Sequence, residues 1–156
     1  MESLFQYEIP YLHPLAVHFP LVLLLTAAGT ATVWAVRGAA FWRRCTLLLT
    51  GLGMAGGLAA YWTGDDLYEG MEGTPIVEEL VGLHEDLALY TLIVAALGLV
   101  TLAGLSVWLE RRTTLERDPP DPLWARLVVA VLALAAGVLV ALTAHAGSTM
   151  VWGVAP

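Results

Sequence analysis

Four long apolar runs constrain the fold of this chain more than any other feature of its sequence. They cover residues 15–36, 46–63, 87–109 and 123–145. An α-helix rises about 1.5 Å per residue, so roughly 20 apolar residues cross the hydrocarbon core of a bilayer. Only 13% of the residues are charged, whereas soluble domains carry about 25%. The sequence therefore predicts an all-α integral membrane protein, an up-down bundle of four helices in a single domain over residues 1–156.

The basic residues predict how this bundle is oriented. They lie in or beside the connections between the first and second runs and between the third and fourth runs. All are arginines: Arg37, Arg43, Arg44, Arg111, Arg112, Arg117 and Arg126. Basic residues beside membrane helices favour the cytoplasmic side. We therefore expect both connections to face the cytoplasm and both termini to face the periplasm of a bacterial inner membrane.

The connection between the second and third runs is acidic. Its carboxylates are those of Asp65, Asp66, Glu69, Glu72, Glu78, Glu79, Glu85 and Asp86. Two interpretations are open: a docking surface for a basic partner such as a c-type cytochrome, or a solvated loop without a partner. Within this connection, Pro75 after the N-cap residue Thr74 predicts a short amphipathic helix that lies along the outer membrane surface.

The four histidines all fall on the predicted outer side. His13 precedes the first run, His18 lies about one turn into it, His84 begins the third helix and His145 ends the fourth. Glycine, alanine and threonine continue the helix faces that carry His18, His84 and His145. Since small residues face the interior of membrane bundles, we expect these three histidines to point inward. Ionisable residues in membrane helices are candidates for a functional site.

Two prolines accompany the first two histidines. Pro14 suits the first turn of a helix, where its missing N–H group is harmless. Pro20 lies deeper and removes one backbone hydrogen bond, which loosens the turn that carries His18. His13 and His18 are five residues apart, or about 140° around an ideal helix. They are therefore not expected to share a face.

The histidines could bind a redox cofactor. Two imidazoles from facing helices can ligate haem iron, and small residues on the helix faces leave room for the porphyrin. The chain contains one cysteine, Cys45, and no C-x-x-C-H sequence, which excludes covalent attachment of haem through that motif. Copper or zinc, proton exchange with a quinone, and histidines bonded only to loop backbone are the open alternatives.

Our preferred hypothesis is a membrane b-type haem protein that transfers electrons near the periplasmic face, to or from a quinone or a c-type cytochrome. His18 and His84 are the expected axial ligands, because the first and third helices are diagonal in an up-down bundle. His145 is expected as a substitute ligand or a propionate partner, and His13 as a hydrogen-bond donor at the outer edge. No catalytic residue and no nucleic-acid partner is assigned.

Two other functions compete with this hypothesis. One is a non-catalytic scaffold subunit of a membrane complex, and the other is a membrane protein that binds copper or zinc at its outer face. A homodimer or a larger membrane complex is compatible with each of them.

The start of the first helix resembles a known family. Residues 12–20 read LHPLAVHFP, which is similar to the LHPxxVHFP motif of predicted bacterial four-helix membrane proteins of unknown function. The similarity extends to TGDD at 63–66, HED at 84–86 and HAG at 145–147. Many relatives have a second glycine and a further histidine near the C-terminus, where this chain has Ser148 and VWGVAP. The resemblance implies a four-helix membrane fold. It also implies an electron-transfer context, because relatives look linked to c-type cytochrome and Rieske-type domains.

Overall fold

A computed structural model describes residues 11–112 and 120–153, and the regular structure in these two ranges is entirely helical. The helices are α1 (His13–Ala16), α2 (His18–Arg37), α3 (Ala40–Met71), α4 (Pro75–Arg112) and α5 (Leu123–Trp152). Four segments are long and apolar enough to cross a membrane: α1 and α2 together, and one in each of α3, α4 and α5. The predicted all-α fold with four membrane spans is confirmed. Arg117 and both chain ends lie outside the described residues.

The packing of the helices follows the up-down order of the chain. α2 packs against α3 and α5, and α4 packs against the same two helices. The diagonal pairs are therefore α2 with α4 and α3 with α5. We call the end where α2 begins and α5 finishes the histidine end, and the opposite end of the bundle the arginine end.

The connection between α3 and α4 differs from the prediction. α3 continues beyond Thr63 to Met71, and α4 begins at Pro75, as expected, but then runs without interruption to Arg112. The predicted short surface helix is thus the first part of a membrane-spanning helix, which corrects that expectation. No proline follows Pro75 to end the helix before the apolar run begins. The turn is tight because Gly73 adopts a left-handed conformation, φ 81°, and its N–H group donates to Glu78 Oε1 at 2.9 Å.

A one-residue interruption separates α1 from α2. Val17 keeps helical dihedral angles, φ −63° and ψ −22°, but Pro20 has no N–H group to donate to the carbonyl of Ala16. α1 packs against α3 and against α2. The proline therefore lets the first turn lean toward α3, which places His13 against that helix.

The arginine end is held together by a buried ion pair. Arg43 is 3% exposed and Asp121 is 8% exposed, and Arg43 Nη1 donates to Asp121 Oδ1 at 2.7 Å. Trp34, which is fully buried, donates its indole N–H to Asp121 Oδ2 at 2.9 Å. The backbone N–H of Asp121 donates to the carbonyl of Gly38 at 2.9 Å. One carboxylate thus joins α2, α3 and the start of α5.

Candidate functional site

A large cavity lies at the histidine end of the bundle. Its volume is about 780 Å³, and residues from all five helices line it. Pockets that bind cofactors and drug-sized ligands have volumes of about 300–1,000 Å³. The four histidines, His13, His18, His84 and His145, all line this cavity. The walls between them are mainly apolar and include Leu24, Ala88 and Val140.

His13 is held against α3 by its Nδ1 atom. This nitrogen lies 2.8 Å from the carbonyl oxygen of Ala60 and 3.3 Å from Thr63 Oγ1. A carbonyl oxygen can only accept a hydrogen bond, so Nδ1 carries the proton. In the neutral ring Nε2 is then the unprotonated nitrogen, with a lone pair that can bind a metal or accept a hydrogen bond.

His84 is held against α5 in the same way. Its Nδ1 atom lies 3.0 Å from the carbonyl oxygen of Thr143, so this ring also carries its proton on Nδ1 and leaves the lone pair on Nε2. The Thr143 hydroxyl donates to the carbonyl of Leu139 at 2.8 Å and lies 3.2 Å from the hydroxyl of Thr91. The carbonyl that accepts the hydrogen bond of His84 therefore belongs to a part of α5 whose side chains form further hydrogen bonds within α5 and to α4.

A glycine lies one helical turn beyond each receiving carbonyl. Gly64 follows Ala60 by four residues on α3, and Gly147 follows Thr143 by four residues on α5. A side chain on a helix leans back over the preceding turn and covers the carbonyl four residues before it. A Cβ at Gly64 would lie 3.5 Å from His13 Cε1, and a Cβ at Gly147 would lie 3.0 Å from His84 Cε1. Gly147 therefore leaves the Thr143 carbonyl accessible to His84, whereas a Cβ at Gly64 would make only an ordinary contact with His13.

The two imidazoles docked in this equivalent way lie next to each other. The ring centres of His13 and His84 are 6.3 Å apart, and the ring planes make an angle of 78°. Two imidazoles that bind one metal from opposite sides have ring centres about 6 Å apart, since each metal–nitrogen bond is about 2 Å long. The same separation also allows a direct edge-to-face contact between the rings. Histidines that bind metals usually donate their other N–H group to a carbonyl or carboxylate, as both rings do here.

His18 and His145 occupy the rim of the cavity. Both side chains are exposed, and His18 Nδ1 lies 2.6 Å from the carbonyl oxygen of Pro14 in α1. Among the described residues, the ring contact of His84 is with His13 and not with His18. The structure thus does not bring the sequence-predicted pair His18 and His84 into contact. The ring next to His84 is instead that of His13, which is expected from the sequence as a hydrogen-bond donor at the outer edge.

The sequence did not predict that the half-buried His13 ring docks on α3, because its position depends on a backbone carbonyl of that other helix. Two signals in the sequence point to it in retrospect. Pro14 makes His13 the first residue of a helix that leans on α3, and the glycine of Thr63-Gly64 lies where an imidazole needs an uncovered carbonyl. The Gly147 of HAG at 145–147 is the corresponding signal on α5.

The described residues offer two closely placed histidines rather than a larger ligand set. Within 11–112 and 120–153, no three side chains of His, Cys, Asp or Glu converge in a way that could hold a metal ion. Zinc sites take three or four protein ligands.

The comparison with protein families matches nearly the whole chain. The family model described as "Predicted membrane protein (DUF2231)" covers residues 9–155. No curated protein and no solved structure matches this chain. The matched range includes all five helices and the four histidines of the cavity. The chain therefore belongs to the DUF2231 family of predicted membrane proteins.

Proposed function

We propose that this protein is a membrane b-type haem protein that transfers electrons, with His13 and His84 as the axial ligands of the iron. The observation that carries the proposal is the equivalent docking of these two rings. Each donates Nδ1–H to a helix carbonyl next to a glycine and keeps a free lone pair on Nε2, and the ring centres are 6.3 Å apart. The axial ligands expected from the sequence are His18 and His84. This proposal keeps His84 and replaces His18 by His13.

Haem agrees with the ligand set better than a bare zinc or copper ion. The porphyrin supplies four nitrogen ligands, so two protein imidazoles complete the coordination of the iron. The residues beside the pair include Gly64 and Gly147 near the two rings, and Ala88 and Ala144 in the cavity lining. Small side chains leave space for a flat macrocycle between helices. Bound haem would supply a one-electron carrier.

The protein groups around the pair have defined tasks in this proposal. The carbonyls of Ala60 and Thr143 fix the tautomer and the orientation of the two rings and increase the basicity of Nε2. The apolar walls of the cavity would keep water away from a bound haem. His145, at the rim, would be placed to donate a hydrogen bond to a propionate of the haem, while His18 already donates its Nδ1–H group to the carbonyl of Pro14.

The proposal includes an orientation in the membrane. We place the protein in a bacterial inner membrane with the arginine end in the cytoplasm, because all seven arginines lie in or beside the two connections at that end. The histidine end and its acidic hairpin between α3 and α4 then face the periplasm. A basic electron carrier such as a soluble c-type cytochrome would be attracted to this end over about one Debye length, or roughly 8 Å at physiological salt.

The first experiment is an absorption spectrum of the purified protein in detergent, oxidised and dithionite-reduced, after expression with haem available. The proposal predicts a Soret band, sharp α and β bands in the reduced state, and one haem iron per chain. Folded protein that neither carries haem nor takes it up on addition would contradict the proposal. Elemental analysis would then identify copper or zinc, and a metal-free protein would favour a scaffold subunit.

A further inference from the structure

Exposed residues of α2 and α5 that line the cavity indicate a side opening between these two helices. Gly137 on α5 is buried against α2, where a Cβ would lie 3.3 Å from the Cβ of Ala28. Ala141 follows one turn later on the same face of α5, but it is exposed and lines the cavity. Further along this face, Ser148 is also exposed and lines the cavity. The two helices therefore separate toward the histidine end.

His18 and His145 mark the two sides of this opening. His18 belongs to α2 and His145 to α5, and both are exposed and line the cavity. α1 does not close the gap, since it packs against α3 and α2. The opening is thus a consequence of the interruption at Val17, which directs the first turn away from α5.

The opening lies at the boundary of the bilayer. α2 contains 20 residues, which correspond to about 30 Å of helix, the thickness of the hydrocarbon core. His18 is its first residue, so the opening faces the region where lipid chains meet their headgroups. A molecule dissolved in the membrane can reach the cavity there without crossing the aqueous phase.

The polar groups around the opening select a neutral ligand with hydroxyl groups. His18 donates Nδ1–H to Pro14, so its Nε2 atom can accept a hydrogen bond. The carboxylates of Asp65 and Glu85 also line the cavity and would repel an anion. No arginine or lysine occurs at positions 1–36, 45–110 or 127–156, which leaves the phosphate of a phospholipid without an arginine or lysine partner at this end of the bundle.

We propose that a quinol binds in this opening, with its ring in the cavity and one hydroxyl group donating to His18 Nε2. The ligand class is a lipid-soluble aromatic diol, which combines an apolar body with two hydrogen-bond donors. The inference rests on the proposed function only for the role of the quinol as the redox partner of the haem. Binding itself depends on the opening and its polar groups.

The test uses haem-free protein in nanodiscs, titrated anaerobically with tetramethylhydroquinone in a calorimeter, with empty nanodiscs as the blank. Saturable binding at one site per chain is expected. The dimethyl ether of the same ring cannot donate hydrogen bonds, and we expect it to bind at least fivefold more weakly, since a net hydrogen bond contributes about 1 kcal/mol. His18→Leu should weaken binding of the hydroquinone by a similar factor.

A pair of neighbouring variants tests the location. Ala141→Phe places a large ring in the opening and should weaken binding at least tenfold. Leu142→Phe is the matched control, because Leu142 is 47% exposed and is not part of the cavity lining; it should bind like the unmodified protein. Equal binding of the ether, unchanged binding by Ala141→Phe, or no saturable binding would overturn the inference. Because the protein is haem-free, a failed haem proposal leaves this test intact.

Discussion

Replacing Gly147 by alanine perturbs the proposed haem ligand His84 without touching the ligand itself. The new Cβ would lie 3.0 Å from His84 Cε1 and 3.4 Å from its Nδ1. The first distance is shorter than ordinary contact, so the ring must move by a few tenths of an ångström away from α5. The Nδ1–Thr143 hydrogen bond, now 3.0 Å long, would then approach or exceed about 3.2 Å, where such bonds weaken.

Loss of this supporting hydrogen bond should lower haem affinity about 10- to 100-fold, the range typical of residues that orient metal ligands. The helix itself should not suffer, since alanine stabilises a helix interior by up to about 1 kcal/mol relative to glycine. The assay is a titration of haem-free protein with haem, followed by Soret absorbance, together with thermal unfolding monitored by circular dichroism. A weaker affinity with an unchanged or raised melting temperature is the predicted combination.

Two other glycines provide matched controls. At Gly64 a Cβ would be 3.5 Å from His13 Cε1, an ordinary contact, and at Gly82 it would meet nothing within 4 Å. We expect Gly64→Ala to have a clearly smaller effect than Gly147→Ala, and Gly82→Ala to have none. If Gly147→Ala bound haem as tightly as the unmodified protein, the inferred role of the helix carbonyl would be refuted.

Two further predictions concern other parts of the bundle. Asp121→Ala leaves the charge of Arg43 buried without its partner, which should lower the free energy of unfolding by about 3–5 kcal/mol. Denaturant unfolding in detergent measures this loss. The double variant with Arg43→Met should recover much of it. Thr63→Val should change haem affinity by less than about threefold, because Nδ1 of His13 already donates to the Ala60 carbonyl, and a larger loss would mean that the hydroxyl orients the ring.

Hydropathy predicted the membrane fold because the cost of burying polar groups in lipid is a property of each segment alone. The boundaries of the helices were less well predicted. The residues from 64 to 71 and from 75 to 86 are polar enough to leave the membrane, but neither stretch contains a proline after Pro75, and the second contains the good helix formers leucine and glutamate. They therefore extend α3 and α4 instead of forming a loop and a separate surface helix.

The histidine end could be predicted in outline but not in detail. The up-down order of four spans brings the ends of α2, α4 and α5 together, so the four histidines meet at one cavity. Which rings face each other depends on carbonyls exposed on other helices, and His13 reaches α3 only because Pro20 interrupts the first span. The buried partner of Arg43 was missed for the same reason, since Asp121 comes from a distant loop of the chain.

In the proposed site, His13 and His84 together ligate the haem iron. Reduced absorption spectra of His13→Ala, His84→Ala and His18→Ala, each purified with haem available, test this assignment most directly. We predict that the first two variants lose the sharp α and β bands of six-coordinate haem, while His18→Ala keeps them. Retention of these bands by His13→Ala, together with their loss in His18→Ala, would rule out His13 as a ligand and favour His18 and His84, the pair expected from the sequence.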